Sequence, residues 1–371
     1  MFKFKVENND MGAVAGRIQE AGIWINTPTR ALSSKELSHG EKVTNEETTS
    51  AEFPHVIYEV NRYFQKRSIL SFIKDYQVAY RIQKQIEKDS NKGGNRITLF
   101  HPVLDKDLEI TEEINSKLIA LQLQCNLDAV SILDDYKTSP KIFEERLKKS
   151  MKQIDDDSPI EPMPTLRLDV DEKVFMNKIK VILNNDITLL DVIYAPITKY
   201  YTNYVYLSKV IEKYDLWIHM SEVERLWRSN YRTSMMHILP FLGISTFAIK
   251  SRPLPFGLFK ITMKKAKRFD GRCLGHITND EHSERYGEDL NCNCFVDKGQ
   301  TLSNFYESFS GASLLNSALI CHETNGSLRE FMNFRKEIVS SSCRDYTREK
   351  EFLKEPFKRI FNIDLNNKNL N

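Results

Sequence analysis

Two cysteines one residue apart, Cys292 and Cys294, stand in the polar stretch DLNCNCFVDKGQTL. Thiolates so placed can bind one metal ion from a single turn, and zinc takes four N, S or O donors in a tetrahedron. Asp297, three residues beyond Cys294, and His322, in the helix-like LICHET, are the donors that would complete such a set. The same residues also fit two free thiols, an exposed acid and a helix histidine, because the spacing is less diagnostic than four cysteines. The six cysteines are spread over 371 residues, which does not suggest a disulfide framework.

Other residue types could carry chemistry elsewhere. Asp270 follows Phe269 in KITMKKAKRFDGR, among Lys264, Lys265, Lys267, Arg268 and Arg272. A carboxylate can act as a nucleophile, and clustered cations suit phosphates. The plainer reading is a turn beside a solvated basic face. Arg228 and Arg232 add cations interleaved with aromatics in WRSNYRTS. Asp134 and Asp135 close the strand-like SILDDY, where they can start a loop or cap the next helix. His101, in RITLFHPVLD, can move protons near neutral pH, or be structural.

These residues need elements to hold them. Hydrophobic residues make up 41% of the chain, enough for a sizeable core. Stretches such as HVIYEVNRYF, RITLFHPVL, LDAVSILDDY, TLRLDV, LLDVIYAPI, DLWIHM and STFAIKS read as strands. Between them, SILSFIKDYQVAYRIQKQIEKDS, TEEINSKLIALQLQCN, SPKIFEERLKKSMKQID, DEKVFMNKIKVILNND and YTNYVYLSKVIEKY read as amphipathic helices. Thr111 is an expected N-cap, and Pro140 falls in an expected first turn. SEVERLWRSNYRTSMMHILPFLG is also expected to be helical, as are SLLNSALICHE and SLREFMNFRKEIVSSS. Repeated strand–helix units imply a parallel sheet, and about eight of them favour an α/β fold of the (β/α)8 TIM-barrel type. The expected division is a barrel over 1–275, a zinc-binding helical subdomain over 276–345 and a tail over 346–371.

Several classes are excluded or disfavoured. A net charge of +2 makes any nucleic-acid surface local rather than global. No apolar run approaches ~18 residues, so no transmembrane helix and no membrane partner is expected. MFKFKVENND lacks a signal-peptide core, which points to a cytoplasmic protein. No glycine-rich phosphate loop of either common type is present.

Taken together, NCNCFVD with LICHET resembles the zinc module of tRNA-guanine transglycosylases, most like the archaeosine branch. AGRIQEAGIWINTPT is similar to that family's opening, LDAVSILDDYKTSPKIFEERLKKSMKQI to a central strand–loop–helix stretch, and AKRFDGRCLGHI to its Phe-Asp-Ser segment. The resemblance implies a barrel that removes guanine from tRNA, or from DNA, and inserts a 7-deazaguanine base through a covalent Asp–ribosyl intermediate. It implies Asp270 as nucleophile, Asp134 and neighbouring Asp135 as base-binding groups, and Cys292, Cys294, Asp297 and His322 around a structural zinc. It also implies a homodimer or a heterodimer as the working unit. The family's Asp-Ser-Gly motif, its acid/base, has no counterpart in RITLFHPVLD, where His101 is the group able to move a proton. The family's Gln-Gly-Gly is replaced by YAPITK, and its Gly-Gly loop by HMSEVE. These replacements support an alternative: a non-catalytic relative that binds nucleic acid or a catalytic partner.

Overall fold

The computed structural model describes residues 2–20, 22–34, 36–39, 55–91, 96–105, 108–154, 160–226, 232–250, 267–290, 301–308 and 312–362. The chain opens with an antiparallel sheet of β1 (Lys3–Asp10), β2 (Ala13–Glu20) and β3 (Ile23–Thr27). Two short strands follow, β4 (Thr29–Arg30) and β5 (Leu32–Ser33), separated by Ala31 alone. β6 (Val56–Phe64) leads to α1 (Lys66–Lys74) and α2 (Tyr76–Ser90). Strand and helix then alternate: β7 (Arg96–Leu104), α3 (Glu112–Leu123), β8 (Ala129–Ile132), α4 (Pro140–Gln153), β9 (Glu161–Arg167), α5 (Glu172–Leu183), β10 (Leu189–Ile193), α6 (Tyr201–Tyr214) and β11 (Trp217–Val223). After β12 (Thr246–Ile249) come a hairpin, β13 (Lys267–Asp270) and β14 (Gly275–Thr278), and the helices α7 (Asn279–Tyr286), α8 (Leu302–Ser308), α9 (Ala312–Val339) and α10 (Cys343–Glu349).

The protein is a mixed α/β structure. Six strands form a parallel sheet in the order β4-β12-β11-β10-β9-β8, flanked by helices, and β5-β6-β7 form a second parallel set. β4 pairs with β12 and β5 with β6, so the stretch from Thr29 to Ser33 contributes to both. At the other side, Asp128 N–H donates to Thr98 O at 3.0 Å just before β8, and the Ser131 hydroxyl bonds the Phe100 carbonyl. One apolar cluster takes Ala31, Ile57, Leu99, Ala129, Met163, Leu189, Trp217 and Ala248 from these strands, together with Phe2, Phe4, Ile18 and Ile25 of the antiparallel sheet. A larger core lies between the parallel sheet, α4 to α6 and α9. Among the described residues, no helix is long and apolar enough to cross a membrane.

Local chemistry explains most element ends. The Thr111 side chain accepts from Ile114 N and starts α3, while Ser139 caps α4 with Pro140 in its first turn. Three expectations change. The apolar period from 68 to 90 predicts one helix, but Asp75 leaves helical backbone and accepts from Gln77 N and Val78 N, giving α1 and α2. The described residues between Ser221 and Gly243 do not form the expected α-helix, and 227–231 lie outside the described residues. β11 runs on to Val223, and 3-10 turns at Met235–His237 and Leu239–Leu242 follow, where Pro240 has no N–H to give. Conversely, the two stretches around Gly326 form a single helix, α9. A Cβ on Gly326 would meet the Phe269 ring at 3.2 Å, so glycine lets α9 lie close to β13. The polar tract over 40–54 and the end of the chain, 363–371, lie outside the described residues.

Candidate active site at the strand ends

Side chains two apart on a strand share a face. Two residues beyond Ile57, Leu99, Ala129, Met163, Leu189 and Trp217 stand Glu59, His101, Ser131, Thr165, Asp191 and His219. The apolar cluster is therefore overlaid, toward the C-terminal ends of the strands, by a buried polar layer. His219 Nε2 lies 2.7 Å from Glu59, and its Nδ1 lies 3.0 Å from the Thr246 hydroxyl. Asn61 donates to the other Glu59 oxygen at 2.6 Å.

His101 is the centre of this layer. It is 1% exposed, with Nδ1 3.0 Å from Asp191 Oδ2 and Nε2 3.3 Å from Glu222 Oε1. Carboxylates only accept, so both ring nitrogens carry protons and the ring is an imidazolium. Burial opposes the charge, but Asp191 and Glu222 together outweigh it and hold the His101 pKa well above its usual value. Glu222 also meets Lys250 Nζ at 2.9 Å. Burial pushes its carboxyl up, yet His101 and Lys250 bring it down to about 2. Glu222 reaches these partners because its backbone is left-handed, with φ 55°, at a register shift between β11 and β12. A side chain forced into that region at a bulge is a common mark of a functional position. Asp191 accepts from the Thr165 hydroxyl at 3.4 Å, while its Oδ1 makes no hydrogen bond among the described residues.

The polar layer ends at a cavity of about 20 Å³ lined by Asp105, Asp134, Tyr136, Thr165, Arg167 and Glu222, among others. That volume holds about one water. Of the cavity's lining residues, Arg167 stacks on Tyr136, 3.8 Å from the ring centroid, and ion-pairs with Asp169 at 3.0 Å.

The expected base-binding acids sit beside this cavity but are engaged. Lys178 Nζ lies 2.7 Å from both oxygens of Asp134, and both side chains are buried. Burial pushes the Asp134 carboxyl up to about 6 against the pull of Lys178. Asp135 accepts from the backbone N–H of Ile110 at 3.0 Å and of Lys137 and Thr138 at 2.8 Å, which shapes the loop after β8.

Asp270 ends β13, which belongs to the antiparallel hairpin rather than the parallel sheet. Arg272 meets both its oxygens, with Nη2 at 2.7 Å from Oδ2 and N–H at 2.8 Å from Oδ1. Burial raises the Asp270 carboxyl, but Arg272 more than offsets it, so the group is held below the usual range. A cavity of about 130 Å³ beside it is lined by His322, Arg329, Glu330 and Lys350. That cavity shares no lining residue with the one at the strand ends beside Glu222. Within the basic segment, Lys267 is exposed, whereas Arg268 is 2% exposed and turns its guanidinium to His282. Lys264 and Lys265 lie outside the described residues.

The chain matches no protein-family model and no curated protein.

Cys292, Cys294 and Asp297 lie outside the described residues. His322 is buried in α9, with Nε2 2.9 Å from the Phe269 carbonyl oxygen. Arg268 Nη1 also lies 3.4 Å from that nitrogen. Among the described residues alone, no group of three metal-binding side chains gathers.

Sequence reasoning singled out His101 but missed Asp191, Glu222 and Glu59. The signal was a charged residue inside an otherwise apolar strand, as in LLDVI and VIYEV.

Proposed function

We propose that this chain is a divergent base-exchanging transglycosylase on a closed (β/α)8 barrel. It would replace guanine in tRNA, or in DNA, by a 7-deazaguanine. The observation that carries the reading is the His101 imidazolium between Asp191 and Glu222, at the C-terminal ends of parallel strands. That end is where barrel enzymes place their chemistry. Ring closure is supported by the stretch from Thr29 to Ser33, which pairs with β12 on one side and β6 on the other. It is also supported by the bonds linking β7 to β8 and by an apolar cluster drawing on all eight parallel strand segments.

In this reading a carboxylate attacks C1′, the bond from C1′ to the base nitrogen breaks, and His101 gives the leaving base its proton. The incoming base then attacks C1′, returns a proton to His101 and releases the carboxylate. Two acids compete for the nucleophilic role. Asp270 carries the resemblance, but both its oxygens bond Arg272. Asp191 adjoins the acid and has one oxygen without a hydrogen bond among the described residues. A structural zinc on Cys292, Cys294, Asp297 and His322 would fix the region around α9.

A non-catalytic relative is the second reading. It is favoured by the Lys178 ammonium on Asp134 and by a strand-end cavity too small for a base. The test offers labelled guanine and a labelled 7-deazaguanine to tRNA and duplex DNA. Wild type should incorporate label, and His101→Asn should not. Loss of the trapped protein–nucleic acid adduct in Asp270→Asn or in Asp191→Asn identifies the nucleophile. Nucleic-acid binding with no incorporation by wild type overturns the enzyme and leaves the second reading.

A further inference from the structure

α1 and α2 stand where the neighbouring parallel strands are followed by one helix, and their outer face is unusual. Tyr76 is 80% exposed and Tyr80 is 47% exposed. They lie four residues apart on α2, one turn of helix, with ring centroids 6.3 Å apart and planes 20° from parallel. Large aromatics gain little by such exposure unless something covers them. The same two helices carry Lys66, Arg67, Lys74 and Arg81, all exposed and none in an ion pair among the described residues. The acids nearby are committed. Asp75 accepts the first N–H groups of α2, and Glu87 pairs with Lys84 at 2.7 Å. One side chain and one backbone N–H tie this face to the strand-end cavity. Asp105, which lines that cavity, accepts from the Tyr63 hydroxyl at 2.7 Å and from Lys66 N–H at 2.9 Å.

We propose that the α1–α2 face is a docking surface for an unpaired nucleic-acid segment, with bases stacked on Tyr76 and Tyr80 and phosphates on Lys66, Arg67, Lys74 and Arg81. Exposed rings and exposed cations on one helix pair supply the stacking platform and positive track that single strands need. A duplex hides its base faces and would use the cations alone. A protein partner would not need rings and cations interleaved in this way. The proposal rests on the base-exchange reading for its partner class, and adds the surface that would lead a strand toward the site. The basic segment before Asp270 plays no part in it.

The test measures anisotropy of a fluorescein-labelled single-stranded 12-mer, and of the same sequence as a duplex, at two salt concentrations. The proteins are wild type, Tyr76→Ala/Tyr80→Ala and Lys66→Ala/Arg67→Ala, with unchanged thermal melting as the check on folding. The tyrosine variant should bind the single strand at least about fivefold more weakly, from the usual worth of one base–aromatic stack, with little change for the duplex. The cation variant should flatten the salt dependence for the single strand by roughly 1.4 in log–log slope. Unchanged single-strand affinity in the tyrosine variant, or wild type that prefers the duplex, overturns the proposal. The two readings fail separately. Exchange by both wild type and tyrosine variant with equal affinity removes the docking surface and keeps the enzyme. Tyrosine-dependent binding without exchange keeps the surface and removes the enzyme.

Discussion

Glu222→Gln keeps the shape of the side chain at the bulge and removes its charge. The wild-type carboxyl is held near 2, against an ordinary 4.5, by His101 and Lys250. The gap between those values, at about 1.4 kcal/mol per pH unit, is worth roughly 3 kcal/mol of folding stability. The sign follows from the direction. A carboxyl depressed in the folded state stabilises above its unfolded value and loses that contribution as pH falls through the folded value. Glu222→Gln should therefore lose roughly 3 kcal/mol at pH 7, read by urea unfolding. The deficit should fade between about pH 4.5 and pH 2, where wild type also becomes uncharged. The backbone strain at φ 55° is common to both proteins and cancels. A deficit of the same size at pH 7 and at about pH 2.5 would refute the electrostatic argument and assign the loss to packing. No deficit at pH 7 would remove the ion pairs from the stability of the site altogether.

Lys178→Met leaves Asp134 as a buried carboxylate without its cation. It should lower stability at pH 7 by about 3–5 kcal/mol. Without Lys178, burial raises the Asp134 carboxyl beyond its wild-type value of about 6, so the deficit relative to wild type should shrink as pH falls from about 8 toward 6, and a deficit in melting temperature that stays constant over that range contradicts this account. Asp75→Ala removes the side chain that caps α2 and should cost about 1 kcal/mol, measured by thermal unfolding, with no change if the cap is not used. Purified protein should hold about one zinc per chain, and a chelator should reduce helical signal from the α9 region. Protein without zinc that melts identically with and without chelator would return Cys292 and Cys294 to ordinary thiols.

Most strands were legible because their signal is local. RITLFHPVL and LLDVI carry enough β-branched and aliphatic residues to be placed without a partner, and Thr111 and Ser139 mark their helices by capping chemistry that acts within three residues. The split at Asp75 was legible in principle, since an acid before an apolar run caps a helix, but the unbroken apolar period masked it. The stretch after Ser221 misled for a related reason. Its apolar spacing suits a helix, while Pro240 and the turn at Gly243 with φ 79° favour short 3-10 turns. The site was only half legible. His101 stood out by type, yet its partners come from β10 and β11, 90 and 121 residues away. No local rule pairs those positions. Glu222 depends further on a bulge, which places it out of step with the alternation that locates Asp191 and His219. Asp134 shows the converse: it was noticed as a free acid because Lys178, on α5, is invisible from its own segment.

The short stretch from Thr29 to Ser33 also bears on how the chain folds. Thr29 N–H bonds Ser245 O at 3.1 Å, and Ala31 N–H bonds Phe247 O at 2.8 Å. During synthesis this segment emerges before its partner β12, which follows only after more than two hundred further residues. Until then it holds β6 on one edge and offers unpaired amides on the other. Contacts of such sequence separation form slowly, and an open strand edge in the meantime is a place where chains associate wrongly. A nascent chain arrested before Thr246 should therefore be protease-sensitive and aggregation-prone, and extending it past Ile249 should protect it.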